Sequence, residues 1–169
     1  IGRALANVFA QHGCHLALCD VDETRLTETI DELARPNQVM TSHRVDVADN
    51  AAMDTFAAAV VDAHGHVDIV INNAGVAHIA NFLDHSPDAW NRVISINLMG
   101  VVNGCRAFLP HLLERPEGHL VNISSLFGIV GVPGQTAYCA SKFAVRGLSE
   151  CLWAELHDTN VGVTIVHPG

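Results

Sequence analysis

Tyr138 is the one tyrosine in this 169-residue chain, and Lys142 stands four residues after it. On a helix that spacing puts phenol and ammonium on one face, a turn apart. A free phenol titrates at about 10 and is a poor base near neutrality. A neighbouring ammonium stabilises the phenolate, which is the tuning that general acid/base catalysis needs. Ser125 lies thirteen residues before Tyr138, in Asn122-Ile123-Ser124-Ser125. That segment follows an apolar run and places hydroxyls just past a strand's carboxyl end, the rim where open α/β sheets bind ligands.

Two further groups belong with these. Asn97 sits in Ile96-Asn97-Leu98-Met99-Gly100, inside a helical stretch where asparagine is a mediocre former. Asn72-Asn73-Ala74-Gly75 comes straight after the apolar run 67–71, and small residues there let a ligand approach the backbone. Taken singly, each has a plain alternative: a surface Tyr–Lys pair, a capping serine, an exposed asparagine, a simple turn.

The elements that must position these residues alternate from end to end. Apolar spacing predicts helices over 2–12, 22–34, 49–64 and 138–158. A long helix is expected to begin after Ser86-Pro87 and run to about 113, kinked near Gly100 or Pro110. Strands are expected at 14–19, near 39–45, at 67–71, 120–123 and 161–166, apolar on both faces. Such alternation predicts an α/β fold, a Rossmann-like doubly wound parallel sheet. Residues 1–169 read as a single domain without linker or repeat. The chain opens already entering a helix and closes on Pro168-Gly169. The expectation is therefore a domain truncated at both ends, lacking the strand and glycine-rich turn that precede the first helix of such a unit. That strand would lie between 14–19 and 67–71, so its absence predicts two buried edges without partners and an isolated chain that folds poorly.

Composition narrows the classes. With 49% hydrophobic and 16% charged residues, disorder is not expected. Net charge is −9 and the basic residues are scattered, which argues against a nucleic-acid partner. No apolar run approaches the ~18 residues of a membrane span. The five cysteines are odd in number and lack C-x-x-C spacing, so reduced, buried thiols in a cytoplasmic protein are expected. Among eleven histidines the closest pair, His64 and His66, flanks Gly65 in a turn, and no metal site is expected. Asn122-Ile123-Ser124 fits a glycosylation sequon but falls at a strand end.

Together, the serine, the Tyr-x-x-x-Lys pair, Asn-Asn-Ala-Gly and the helix asparagine resemble the short-chain dehydrogenase/reductase family, of its ordinary type, from Gly2 to Gly169. The resemblance implies an NAD(P)-dependent oxidoreductase interconverting a secondary alcohol and a ketone. Tyr138 would be the general acid/base, Lys142 would tune it and bind the nicotinamide ribose, and Ser125 would hold the substrate oxygen. Asn97 would hold a water linking Lys142 to solvent, and hydride would pass directly between substrate carbon and nicotinamide. Gly2 matches the last glycine of the family's glycine-rich turn. Asp20 would accept from the adenosine ribose hydroxyls and repel a 2′-phosphate, favouring NAD while leaving NADP open; capping the helix near Asp22 is its alternative task. Asp46 and Val47 match the adenine-contacting position. Asn73, Ala74 and Gly75 match the adenosine-side lining, and Pro168 and Gly169 the segment beside the nicotinamide. The apolar stretch Leu126–Gln135 points to a hydrophobic alcohol or ketone, and a homodimer or homotetramer is usual in the family. Ser124 is a weaker candidate than Ser125, and Cys139, on another helix face, is given no role. Two other functions stay open: a non-catalytic NAD(H)-binding module, and a nucleotide-sugar epimerase or dehydratase.

Overall fold

In the computed structural model, which describes residues 1–169, helix and strand alternate: α1 (Gly2–Gln11), β1 (Leu16–Asp20), α2 (Glu23–Leu33), β2 (Met40–Arg44), α3 (Asn50–His64), β3 (Ile69–Asn72), α4 (Pro87–Ile94), α5 (Gly100–Leu113), β4 (Gly118–Ile123), α6 (Thr136–Glu155) and β5 (Val161–Val166). Helix starts carry their chemical signals. Asp22, Asp49 and Ser86 each accept from a backbone N–H three residues on, at 3.1 Å, which satisfies donors the helix itself leaves open. Gly65 ends α3 at a φ of 78°, where a side chain would be strained.

Every strand pair is parallel. The strands form two groups, β1-β2 and β3-β4-β5, with no pairing between β1 and β3. Side chains alternate across β1 as the strand period requires. Leu16 and Leu18 pack with Ala6 and Ala10 of α1 and Leu33 of α2. Ala17 and Cys19 face the larger core built on Met53, Phe56, Val60, Val101, Phe108, Leu112, Leu120 and Val145. Helices therefore cover both faces of this strand, the Rossmann-like arrangement.

The expectation of strands apolar on both faces holds only in part. β2 reads Met-Thr-Ser-His-Arg and is polar along most of its length. In the three-stranded group Leu120 and Asn122 are fully buried, whereas Ile69 and Val166 are 46% and 37% exposed. The edge strand β3 is thus less buried than its sequence predicts, because β4 is its one strand neighbour. The buried-thiol expectation is corrected too: Cys105 and Cys139 are buried, Cys14 and Cys19 half-buried, and Cys151 exposed.

The long helix also differs from expectation. It is α4 and α5 joined by a π turn, Ser95–Met99, centred on Asn97, and Pro110 is carried inside α5. The irregularity thus falls where an extra residue is inserted in the turn, a device concentrated at functional sites. By length and composition the stretch Pro87–Leu113 is long and apolar enough to cross a membrane. Here it supplies core residues: Val93, Asn97, Val101, Phe108 and Leu112 are all buried.

Candidate active site at the carboxyl end of the three-stranded sheet

Parallel register sets Asn72 of β3 beside Asn122 of β4. The Asn72 amide donates to Asn122 Oδ1 at 2.9 Å, and Asn122 Nδ2 donates to Ser149 Oγ of α6, also at 2.9 Å. Ser149 Oγ in turn donates to Val145 O at 2.7 Å. Gly104 of α5 makes room: a Cβ there would stand 2.0 Å from Asn72 Oδ1. Such a fully paired buried network fixes helices to strands. It also removes Asn122, 0% exposed, from any surface role as a sequon.

One turn nearer the strand ends lie the groups that can do chemistry. Lys142 is 3% exposed, and its Nζ donates to Ile123 O at 2.8 Å. None of the ion pairs involves it. Burial of the cation lowers its pKa to about 8. Its Nζ stands 5.7 Å from the centre of the Tyr138 ring, as the four-residue spacing on α6 demands. Tyr138 is half-buried, and the Phe127 ring meets it edge-on at 6.2 Å.

Asn97 is fully buried. Its Oδ1 accepts from Val76 N at 2.8 Å, and its Nδ2 donates to Val76 O at 2.9 Å and Ser141 Oγ at 3.1 Å. Ser141 in turn donates to Tyr138 O at 2.7 Å. The π turn is what lets one side chain bracket the loop after β3 and the first turns of α6. Both amide protons of Asn97 are used, so a water on this side chain is limited to the second lone pair of Oδ1. Gly75 borders the same spot: a Cβ there would lie 3.4 Å from Asn97 Oδ1 and 3.5 Å from Lys142 Nζ.

Ser125 and Ser124 part company. Ser124 is 2% exposed, and its hydroxyl donates to Lys142 O at 3.0 Å, a structural bond. Ser125 is half-buried, and its Oγ accepts from Phe127 N at 3.1 Å, which leaves the hydroxyl proton for a ligand. The strand end is fastened to the end of β5 by Ser124 N to Val166 O at 2.8 Å and Leu126 N to Pro168 O at 2.9 Å. His167 Nδ1 adds a bond to Ser125 O at 3.0 Å. Pro168 and Gly169 thereby run beside Ser125 and Leu126.

The remaining candidates lie towards the two-stranded group. Asp20 ends β1 with its carboxylate exposed; one oxygen accepts from Asp22 N at 3.0 Å. Asp22, not Asp20, caps α2. Asp46 is exposed and accepts from Ala48 N at 2.9 Å. Val47 O accepts from Asn103 Nδ2 at 2.9 Å, and its side chain packs on Gly100, where a Cβ would stand 2.6 Å from Val47 Cγ2. At the start of α1, a Cβ on Gly2 would lie 2.7 Å from Asn73 Nδ2, so glycine is what lets α1 meet this loop. Ala74 and Gly75 are exposed beside it.

The structure thus brings Gly75, Asn97, Tyr138 and Lys142 into one cluster, with Ser125 at the adjoining strand end. Asp20, Asp46 and Val47 stand apart on the β1-β2 side. These residues fit a dinucleotide at the strand ends: the exposed backbone at Gly75, an exposed carboxylate at the end of β1 and a buried cation beside Gly75. Sequence reading missed the Asn72–Asn122–Ser149 network, the Ser125–His167 bond and the buried His85, described below. The first had a signal: two asparagines at matching ends of neighbouring apolar runs.

The family model of the short chain dehydrogenase matches residues 1–169. SadH of Mycobacterium tuberculosis is 46% identical over 171 residues, spanning all of this chain and 62% of that protein. The oxidoreductase UcpA of Salmonella typhimurium is 38% identical over 170 residues, again all of this chain and 64% of its own. A crystal structure of a short-chain dehydrogenase/reductase from Burkholderia phymatum in complex with NAD superimposes with a TM-score of 0.96 at 36% identity, covering 99% of this chain and 60% of that one. The chain spans less than two thirds of the length of each of these relatives.

Proposed function

The chain belongs to the short-chain dehydrogenase family of oxidoreductases, and on that premise we propose that the protein interconverts a secondary alcohol and a ketone with Tyr138 as general acid/base. Residues 1–169 serve one catalytic domain. The observation that carries this reading is Lys142, a buried cation without a carboxylate partner, held by Ile123 O at 2.8 Å and 5.7 Å from the Tyr138 ring. A charge kept desolvated at a cost to stability has its use in stabilising a neighbouring anion. Here that anion is the Tyr138 phenolate.

In alcohol oxidation Tyr138 takes the hydroxyl proton, and in reduction it returns it to the carbonyl oxygen. Ser125 donates its hydroxyl to the substrate oxygen and holds it near the phenol. Asn97 keeps Lys142 and Tyr138 in register through Val76 and Ser141. A bound nicotinamide supplies the hydride acceptor or donor. Lys142 would bind its ribose, Gly2, Asn73, Ala74 and Gly75 would flank its phosphates and adenosine side, and Asp46 and Val47 would meet its adenine. Pro168 and Gly169 would line the nicotinamide end. The exposed Asp20 carboxylate favours ribose hydroxyls over a 2′-phosphate, hence NAD over NADP. Leu126, Ile129 and Val130, all exposed beside Ser125 and Tyr138, favour an apolar substrate.

The test follows nicotinamide absorbance in the full-length protein, with NAD and NADP against a panel of secondary alcohols. NAD-linked turnover supports the reading. Turnover with NADP alone overturns the role of Asp20, and binding of NAD without turnover of any alcohol overturns the reaction.

A further inference from the structure

Two loops border the Tyr138 end of α6: residues 76–86, after β3, and residues 129–135, before α6. Both carry large apolar side chains in solvent. Ile79 is 75% exposed and Leu83 92% on the first, and Ile129 is 44% and Val130 46% on the second. Ile79 reaches across, its Cγ2 3.8 Å from where a Cβ on Gly134 would stand. The loops are tied in two places. Ala80 N donates to Gly134 O at 3.1 Å. The second tie runs through His85, only 8% exposed.

His85 Nε2 faces His78 O at 3.2 Å. A carbonyl can only accept, so Nε2 is the donor in that bond. Nδ1 stands within hydrogen-bond reach of Thr136 Oγ1, at 3.3 Å. Thr136 opens α6, two residues before Tyr138. The ring is held edge-on by Trp90 at 6.0 Å and tilted against His78 at 5.0 Å. One imidazole therefore fixes the first loop back on itself, onto α4 and onto the start of α6. A leucine of similar size would fill the space and make neither bond.

We propose that His85 is a positioning residue for substrate specificity: it sets the spacing of two apolar walls that receive the hydrocarbon part of a carbonyl substrate. The proposal rests on the oxidoreductase reading of the site. It adds that the 76–86 loop, and not the 126–135 segment alone, selects the substrate. His85 does not touch the reacting atoms. It acts through Thr136 and His78, so its loss raises KM for apolar ketones more than it lowers kcat.

The experiment compares wild type, His85→Phe, His85→Gln and Thr136→Val of the full-length, NAD-bound protein. Calorimetry measures the affinity for 2-decanone and for acetone, and turnover gives kcat and KM for each. Gln spaces an amide donor and acceptor much as imidazole does, so it is the rescuing variant. Loss of the His85–Thr136 bond predicts a five- to tenfold weaker affinity and higher KM for 2-decanone in Thr136→Val, and at least as much in His85→Phe, which also loses the bond to His78 O. Both keep kcat within about threefold and NAD affinity within twofold, and His85→Gln stays within twofold of wild type throughout. The Phe and Val changes combined are no worse than His85→Phe alone. Equal weakening for both ketones, additive losses, or no binding of 2-decanone by wild type overturns the role of His85. Binding with the expected pattern but without turnover upholds it and overturns the ketone chemistry alone.

Discussion

The three-stranded group and the two-stranded group solve the placement of polar residues in opposite ways. Around β3-β4-β5 the polar groups of the site are buried and paired: Asn122 of β4, Asn97 of the π turn, and Ser141 and Ser149 of α6 are each 0% exposed. Their long-range partners lie 21 to 50 residues away in sequence. In β1-β2 the candidate ligands Asp20 and Asp46 are exposed and bond only to backbone two residues on. One half is preorganised by long-range packing and the other by local turns. Proton transfer needs fixed geometry within fractions of an ångström, whereas a carboxylate accepting from ribose or adenine tolerates a mobile hold. The difference predicts that substitutions of the buried, paired groups in the first half alter stability as well as chemistry, and those in the second alter cofactor affinity alone.

The largest break of that contrast comes from Lys142→Met. It keeps the length of the stem and removes the charge, and turnover is expected to fall by at least about a thousandfold. Stability moves the other way. The folded-state pKa of about 8 lies below the ordinary 10.5. Between those values the unfolded chain holds a proton that the folded one has released, so stability rises with pH across that window. Below pH 8 the buried charge costs about 3 kcal/mol, offset in the variant by about 1 kcal/mol for the Ile123 carbonyl left unpaired. Urea unfolding of the cofactor-free proteins should find Lys142→Met the more stable at pH 7, with its advantage shrinking from pH 8 to 10.5. A variant less stable than wild type at pH 7 contradicts the desolvation argument.

Asn122→Leu is expected to lower unfolding free energy by about 2 kcal/mol, since it leaves the Asn72 amide without its oxygen acceptor and Ser149 Oγ without its donor in the core. A thermal midpoint within a degree of wild type would show that the network contributes nothing. Asp20→Ala should leave that midpoint unchanged and weaken NAD about tenfold in a fluorescence titration, with NADP affected less. Equal losses for both cofactors would break the ribose assignment. The smallest effect is expected at Asp46→Asn. Its carboxylate is exposed, its bond to Ala48 N survives in the amide, and stability should stay within about 0.5 kcal/mol. A larger loss would place Asp46 with the preorganised half.

What the sequence makes legible follows the same division. Helix starts at Asp22, Asp49 and Ser86, the parallel α/β order and the Tyr138–Lys142 face all rest on local spacing. Local chemistry of that kind is readable in one chain. Asn97 is legible as an oddity in a helix, but not as the centre of a π turn, because that turn is selected by its contacts with Val76 and Ser141, 21 and 44 residues away. His85 was hidden among eleven histidines. Nothing near it in sequence marks it as buried; Thr136, 51 residues on, does. The polar β2 is legible in Met40–Arg44 itself, whereas the exposed Ile69 is not: burial of a strand depends on its neighbours in the sheet, which spacing within the strand does not report.

The central claim, that Tyr138 moves the proton while the surrounding network only holds it in place, is tested most directly by Tyr138→Phe. Turnover of a secondary alcohol that wild type accepts would be measured at saturating NAD, beside cofactor affinity and thermal midpoint. The account predicts a fall of about a thousandfold or more in kcat, with NAD affinity within twofold and the midpoint within two degrees, because the phenol oxygen takes part in none of the hydrogen bonds described above. Activity within tenfold of wild type would contradict it and move the proton transfer to another group.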